Sequence, residues 1–319
     1  MRVLFRILAS NSIFKIGFIG LGNMGRPMAE NLAKAGFPLL CTDVDRDRTE
    51  SLAAAHPNVA LASSLEEISK ETDTIISVLP NDAVLKHVSS TLIETMGAGG
   101  LHISCSTVAP TTSRELSQGF EKNGITLVAA PIFARPDGMA AMQANFVMSG
   151  PAAGLAKTGN ILQHTAAGLY AFGEDTGAAN VVKLCGNFLI GCSIEAMAEA
   201  LALAEKNGVD RVEAMQFYSS TFLNSVIYQG YGQRVSERDH RPGGFALELG
   251  LKDMTLVKDT AHQSSTPMPF LSVLVDRFLG ERAKGRAHMD WSAIGLGVSE
   301  QAGINVVSAF DPSAKQGNQ

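Results

Sequence analysis

Lys15-Ile16-Gly17-Phe18-Ile19-Gly20-Leu21-Gly22-Asn23-Met24-Gly25 joins a short apolar run to a GxGxxG loop. The run has the length and content of a strand buried on both faces, and the stretch after Gly25 reads as a helix stopped at Ala35-Gly36. Leu39-Leu40-Cys41-Thr42 reads as a second strand, and Asp43 closes it eighteen residues past Gly25. A glycine loop between strand and helix, followed by an acid at the next strand's end, is the arrangement that holds a dinucleotide. Gly20 permits the tight turn, Gly22 lets the backbone approach a pyrophosphate, and Gly25 allows close helix–strand packing. Leu21, Asn23 and Met24 complete the cofactor-binding loop, and the helix N-terminus offers free N–H groups and a positive dipole end to the phosphates. A carboxylate at Asp43 accepts hydrogen bonds from the ribose hydroxyls and repels a 2′-phosphate, which favours NAD over NADP. Arg46 and Arg48 stand close enough in sequence to keep NADP open.

The same alternation continues outward from that stretch. Strands are expected at Asp73–Val78, Gly100–Ser104, Ile125–Val128, Phe146–Ser149 and Leu169–Phe172, with a polar helix around Arg48–Ala55. Buried strands separated by helices predict an α/β doubly wound, mostly parallel sheet covered on both faces. Near Gly173 the rhythm changes. One long helical pattern runs from Asn180 to Asn207, with Val181, Cys185, Leu189 and Cys192 near one face, and helical patterns dominate thereafter. The Gly230–Gly244 segment, rich in glycine and arginine, reads as an exposed loop. The expected organisation is an extension over 1–14, a dinucleotide-binding domain over 15–173, an all-helical domain over 174–310 reached through the long helix, and a tail over 311–319.

Composition narrows the function. The chain has 319 residues, 45% hydrophobic and 18% charged, with a net charge of -5, which fits two ordinary globular domains and not a disordered or fibrous chain. No dense basic run supports nucleic-acid binding. Cys41, Cys105, Cys185 and Cys192 form no CxxC pair, and the seven histidines form no HxxxH or HExxH, so neither a disulfide framework nor a zinc site is expected. The longest apolar stretch, Asn187–Leu203, is interrupted by Glu195 and Glu199, so no membrane span is expected. The first fourteen residues carry Arg2 and Arg6 and no acid. They read as a short extension in a cytoplasmic protein; as a targeting segment they would direct the chain to the mitochondrial matrix.

With metal and nucleophile motifs missing, two lysine patterns remain. Lys183 and Asn187 in GAANVVKLCGN lie four apart, on one face of the long helix, and Lys252 lies in LKDMTLVKD. Spacing alone favours a surface charge for each. KIGFIGLGNMG, Val78-Leu79-Pro80, Ser106-Thr107-Val108-x-Pro110, GAANVVKLCGN and LKDMTLVKD occur in that order. Together they resemble the β-hydroxyacid dehydrogenase family, which includes 3-hydroxyisobutyrate dehydrogenases and glyoxylate/succinic semialdehyde reductases. The resemblance spans Lys15 to Ile294. It implies a Rossmann domain, a long connecting helix, a helical domain contributing to homodimer or homotetramer contacts, and a small acid or aldehyde as substrate. It also implies that Lys183 is the catalytic lysine, that Asn187 and Ser106 bind substrate, and that Leu79, Pro80, Thr107 and Lys252 contact the cofactor, Lys252 lying near the substrate as well. Alcohol oxidation needs a base for the hydroxyl proton and carbonyl reduction needs an acid, and a lysine near a second cation and partly desolvated suits both tasks.

The chain departs from that family at one place. Where the family usually has an Asp-x-Pro followed by a Ser-Gly-Gly turn holding the substrate carboxylate, this chain reads Ala129-Ala130-Pro131-Ile132-Phe133-Ala134-Arg135. The acid, the serine and both glycines are gone, and Ala179 replaces a second glycine before the lysine. Phe133 and Arg135 therefore become candidate substrate contacts, Arg135 as an anion anchor. Three readings follow. The first is a hydride-transferring oxidoreductase acting on a small β-hydroxy acid or its semialdehyde. The second is an NADPH-dependent aldehyde or imine reductase with a remodelled loop, and Lys183 argues against its imine branch. The third is a non-catalytic nucleotide-binding module.

Overall fold

The computed structural model describes residues 14–306 and residue 310; residues 1–13 of the expected extension and the expected tail over 311–319 lie outside the described residues. The chain divides into two compact units, the first up to Lys183 and the second from Leu184. In the first, strands and helices alternate: β1 (Ile16–Ile19), α1 (Gly25–Lys34), β2 (Leu39–Thr42), α2 (Arg46–Ala55), β3 (Val59–Leu61), α3 (Leu65–Glu71), β4 (Thr74–Ser77), α4 (Asp82–Thr95), β5 (Leu101–Ser104), α5 (Pro110–Glu121) and β6 (Thr126–Ala129). These six strands form one parallel sheet in the order β3-β2-β1-β4-β5-β6. This is the doubly wound Rossmann arrangement.

Local signals account for the elements. All four residues of β1 are buried, and Gly17 lets α3 press on the strand: a Cβ there would stand 2.5 Å from Ile68 Cγ2. Gly36, at φ +93°, ends the first helical turn sequence as expected, since Phe37 N bonds back to Leu32 O across it. Ser64 accepts from Glu67 N while Glu67 Oε2 accepts from Ser63 N, a reciprocal cap for α3. The expected strands near Phe146 and Leu169 do not join the parallel sheet. They are β8 (Ala144–Met148) and β9 (Ala166–Ala171), which with the unanticipated β7 (Ile132–Phe133) form a separate three-stranded sheet, β7 antiparallel to β8. Between them lie α6 (Pro136–Ala140) and α7 (Ala152–Leu162). Strand β3 was equally unannounced, because two of its three residues are exposed and it offers no buried run.

The long helix is α8 (Ala178–Lys206); it is followed by α9 (Arg211–Ser220), α10 (Val226–Glu237), α11 (Leu247–Gln263), α12 (Pro269–Ala283), a 3-10 turn at Trp291–Ala293 and α13 (Ile294–Gln301). The second unit packs Ile194, Leu201, Leu251, Met254, Leu274 and Phe278 around the buried Trp291. Gly250 admits that indole, for a Cβ would stand 2.7 Å from Phe278 Cε1 and 3.1 Å from Trp291 Cε3.

Three expectations need correction here. The stripe of Cys185 and Leu189 is exposed, Leu189 by 64%. The buried face instead carries Leu184, Asn187, Ile194 and Glu195, because partners in the unit satisfy its polar members, Arg277 lying 2.8 Å from Glu195. The carboxylates also fail to interrupt the apolar run: by length and composition α8 is apolar enough to cross a membrane. Its Ile194, Met197 and Leu201 are spent on the core of the helical unit. Finally, most of Gly230–Gly244 is not loop. Residues up to Glu237 belong to α10, whose Tyr231 and Val235 are buried, and Gly232 gives room to Met215, whose Cε would lie 2.6 Å from a Cβ.

One buried side chain makes the first unit sensitive to acid. His102, fully buried in β5, pairs through Nε2 with Ser77 Oγ at 2.9 Å and lies against Phe120. Burial pushes its pKa down to about 3, so the folded ring is neutral. The unfolded ring takes a proton near pH 6.5, so the contribution is complete above that pH and is lost as pH falls toward the folded value. Between pH 7 and pH 5 this amounts to about 2 kcal/mol at about 1.4 kcal/mol per unit. Urea unfolding should therefore show His102→Gln losing about 2 kcal/mol less than the parent over that interval; equal losses would mean that His102 is not held neutral.

Candidate functional site

The order of the parallel sheet reverses direction between β1 and β4, and the loops leaving these strands meet at their carboxyl ends. Val78 N donates to Ile19 O at 2.9 Å, and a Cβ on Gly20, whose φ is +95°, would stand 2.3 Å from Val78 O. A Cβ on Gly25 would stand 2.0 Å from Gly20 O. These two glycines are required by the protein's own backbone. Gly22 is different: among the described residues, only Arg48 Nη1 comes within 4 Å of its Cβ position, at 3.8 Å. Helix α1 has no side-chain cap and no acid in its first turn. A crevice at a topological switch point, an open glycine and an uncapped helix N-terminus fit the pyrophosphate of a dinucleotide.

Asp43 is tied into the backbone on both sides of the loop. Its Oδ2 accepts from Leu21 N at 2.5 Å and its Oδ1 from Asp45 N at 2.8 Å, so the carboxylate ties the glycine loop to the end of β2. Each oxygen keeps lone-pair capacity for a sugar hydroxyl. Arg46 pairs with Glu50 at 2.8 Å, and Arg48 with Asp45 at 3.1 Å.

The loops after β4 and β5 are joined by Ser106, whose buried Oγ accepts from Leu79 N at 2.9 Å. This places Ser106 as a brace under the Leu79-Pro80 turn; Leu79 is half-buried, Pro80 exposed and Thr107 half-buried beside it. The start of α8 is anchored to the same region. Asn180 donates to Ser113 Oγ at 2.7 Å and accepts from Val108 N, Ala179 N donates to Ser149 Oγ at 3.0 Å, and Arg114 grips Asp175 at 2.9 and 2.7 Å. The Arg114 hydrogen bond holds the Asp175 carboxyl below its ordinary range. Gly177 lets α5 approach, since a Cβ would stand 2.9 Å from Pro110 O.

Lys183, one turn beyond Asn180, is 8% exposed. It is not the solvated charge that spacing alone favoured. Its Nζ stands over the Phe133 ring, 4.1 Å from the centroid, so the substituted turn and the lysine meet. Arg135 lies two residues on, as the N-cap of α6, and is half-buried. In the second unit Asn187 Nδ2 donates to Asp253 Oδ2 at 2.6 Å, and Lys252 Nζ lies 3.0 Å from Asp253 Oδ1. Asp253, only 1% exposed, thereby links the two residues of that unit named from the sequence. Asp253 and Asn180 were not singled out beforehand, although both lie inside the quoted motifs; what marks each is a buried polar side chain that fixes a neighbour.

Residues 15–181 match the NAD binding domain of 6-phosphogluconate dehydrogenase, and residues 177–295 match the domain described as NAD-binding of NADP-dependent 3-hydroxyisobutyrate dehydrogenase. The NAD-dependent L-serine dehydrogenase of Pseudomonas aeruginosa is 32% identical over 88% of this chain and 96% of its own length. The 3-hydroxyisobutyrate dehydrogenase of the same organism is 33% identical over 81% and 89%. Among solved structures, Mycobacterium tuberculosis 3-hydroxyisobutyrate dehydrogenase with L-serine superposes with a TM-score of 0.82 at 27% identity, covering 90% of this chain and 99% of that one.

Proposed function

The chain belongs to the β-hydroxyacid dehydrogenase family and is an NAD(P)-dependent hydroxyacid dehydrogenase, and from that membership we propose that its substrate is a small β-hydroxy acid or the corresponding semialdehyde, with Lys183 as general acid and base. The observation that carries the reading is the burial of Lys183 on a helix whose first turn is tied to the β5–α5 region. Lysines are seldom buried without a task that repays desolvation. When bound, the nicotinamide supplies or accepts the hydride. Gly20 to Gly25 would hold the pyrophosphate on backbone amides, Asp43 would accept from the adenosine ribose, and Leu79, Pro80 and Thr107 would contact the cofactor. Lys183 Nζ takes the hydroxyl proton in oxidation and returns it to the carbonyl oxygen in reduction. Asn187 and Lys252 orient the substrate, and Asp253 positions both, since its carboxylate accepts from the Asn187 amide and pairs with the Lys252 ammonium. Ser106 acts through Leu79.

We further infer NAD as the preferred cofactor, because Asp43 is fixed by two amides and both nearby arginines are engaged with acids. Arg135 is proposed as the anchor for a substrate anion, in place of the family's glycine-turn amides. A homodimer or homotetramer in the cytoplasm is the assembly proposed, supported by exposed Leu189, Leu203, Phe217 and Phe222 on the helical unit and by the bacterial relatives.

Lys183→Met should lower kcat by about 10²–10⁴-fold while the affinity for NADH, read by fluorescence titration, stays within about twofold. Retention of more than about a tenth of the rate would remove Lys183 from proton transfer. In the same assay kcat/KM should favour NADH over NADPH by roughly ten- to hundredfold, and equal values would give Arg46 or Arg48 control of the pocket. For Arg135→Ala, kcat/KM should fall roughly ten- to hundredfold for succinic semialdehyde and hardly at all for butyraldehyde; equal losses on the two would exclude an anion anchor.

A further inference from the structure

Phe133 stands where the family's turn carries a serine, and its ring faces the Lys183 ammonium at 4.1 Å. An aromatic face attracts a cation through its quadrupole, and the attraction strengthens where water is excluded. A serine hydroxyl can accept from the ammonium but can equally donate to the neutral amine, whereas the ring face favours the cation. We propose that Phe133 is a positioning residue that holds Lys183 as the proton-bearing ammonium, which sets this site for carbonyl reduction rather than alcohol oxidation. The inference rests on the reading of Lys183 as the acid–base residue.

The surroundings favour that role. Phe133 packs against the buried cluster of Ala129, Val147 and Ala179, against which Tyr170 and Val182 also pack. Ala179 and Val182 lie on α8 itself, one turn before and directly beside Lys183. The titratable group in this cluster is the Tyr170 phenol, and the nearest charge along β7 and α6 is Arg135; over Ala178–Asn187 the helix carries no charge besides Lys183. Lys252 and Asp253 belong to the helical unit, where they pair with each other at 3.0 Å. Burial works against the charged lysine, and the ring works for it.

The step balances as follows. The substrate carbonyl carbon receives hydride from the reduced nicotinamide while the C=O π pair moves onto oxygen. That oxygen takes a proton from Lys183 Nζ, and the neutral amine regains one from water. An amine kept protonated through neutral pH serves this direction; oxidation requires it to lose the proton first.

The test follows the titration of Lys183 directly. Protein carrying 13Cε-lysine is titrated by NMR without cofactor or substrate, and the Lys183 resonance is identified by its loss in Lys183→Met. Position 133 is then occupied by phenylalanine, 4-fluorophenylalanine or pentafluorophenylalanine, which keep the shape while draining the ring of its negative face, and by Leu in Phe133→Leu. The Lys183 midpoint should move down stepwise with fluorination, by up to about one pH unit in all, and Phe133→Leu should fall between the parent and the pentafluoro protein. The pH above which kcat for aldehyde reduction declines should move with it. A midpoint that stays constant across the isosteric series overturns the inference. Should Lys183→Met retain turnover, the underlying reading of Lys183 fails instead, whatever the titration shows.

Discussion

The carbonyl of Gly20 and the α-carbon of Gly25 are packed so closely that a side chain on Gly25 would reach within 2.0 Å of that oxygen. This contact sets how far α1 lies from β1, and the backbone approach of Gly20 to Val78 O sets how the β1 and β4 loops meet. Everything proposed for cofactor binding follows from these two distances. They leave the first turn of α1 pointing its amides at the crevice, they bring Leu21 within reach of Asp43, and they put the Leu79-Pro80 turn alongside. Ordinary side chains at Gly20 or Gly25 would force the helix or the loop to shift by ångströms, which packed interiors do not absorb cheaply.

A second theme is that buried polar groups come in pairs, each fixing one element. Ser77 and His102 join β4 to β5, Ser106 and Leu79 N join the loops beyond them, and Asn180 and Ser113 join α8 to α5. In the helical unit Asn187 and Asp253 join α8 to α11, and Arg286 and Glu281 form a fully buried ion pair. Such pairs add little net stability, because desolvation offsets most of their attraction. What they supply is orientation, and Leu79, Ser106, Asn187 and Lys252 among the proposed site residues belong to or adjoin these pairs.

The sequence made the parallel sheet legible because buried strands of this class are near-continuous apolar runs, as β1, β2, β4 and β5 are. The glycine loop and Asp43 were legible because their spacing is dictated by backbone geometry. Strands β3 and β7 were not, being three and two residues long with no run to detect. The face of α8 was misjudged because apolar residues surround that helix, so its orientation is chosen by the partners of Asn187 and Glu195, which lie far away in sequence. The glycines of α10 misled for a related reason: Gly232 makes room for Met215, a tertiary demand that looks like a loop signal locally. Lys183 could be named only through its resemblance to a family motif, since burial is not written in the spacing of one lysine.

The double attachment of Asp43 also bears on attempts to alter cofactor choice. Replacing this acid is the usual first thought for admitting a 2′-phosphate, yet here the carboxylate anchors the amides of Leu21 and Asp45. Removing it would unfasten the loop that both cofactors need, so any gain for one would be blurred by a loss for each. A redesign with better prospects would retain Asp43 and loosen Asp45 from Arg48, freeing a guanidinium that already borders Gly22. In this chain the discriminating group and the scaffolding group are one side chain, and selectivity has to be edited at its neighbours.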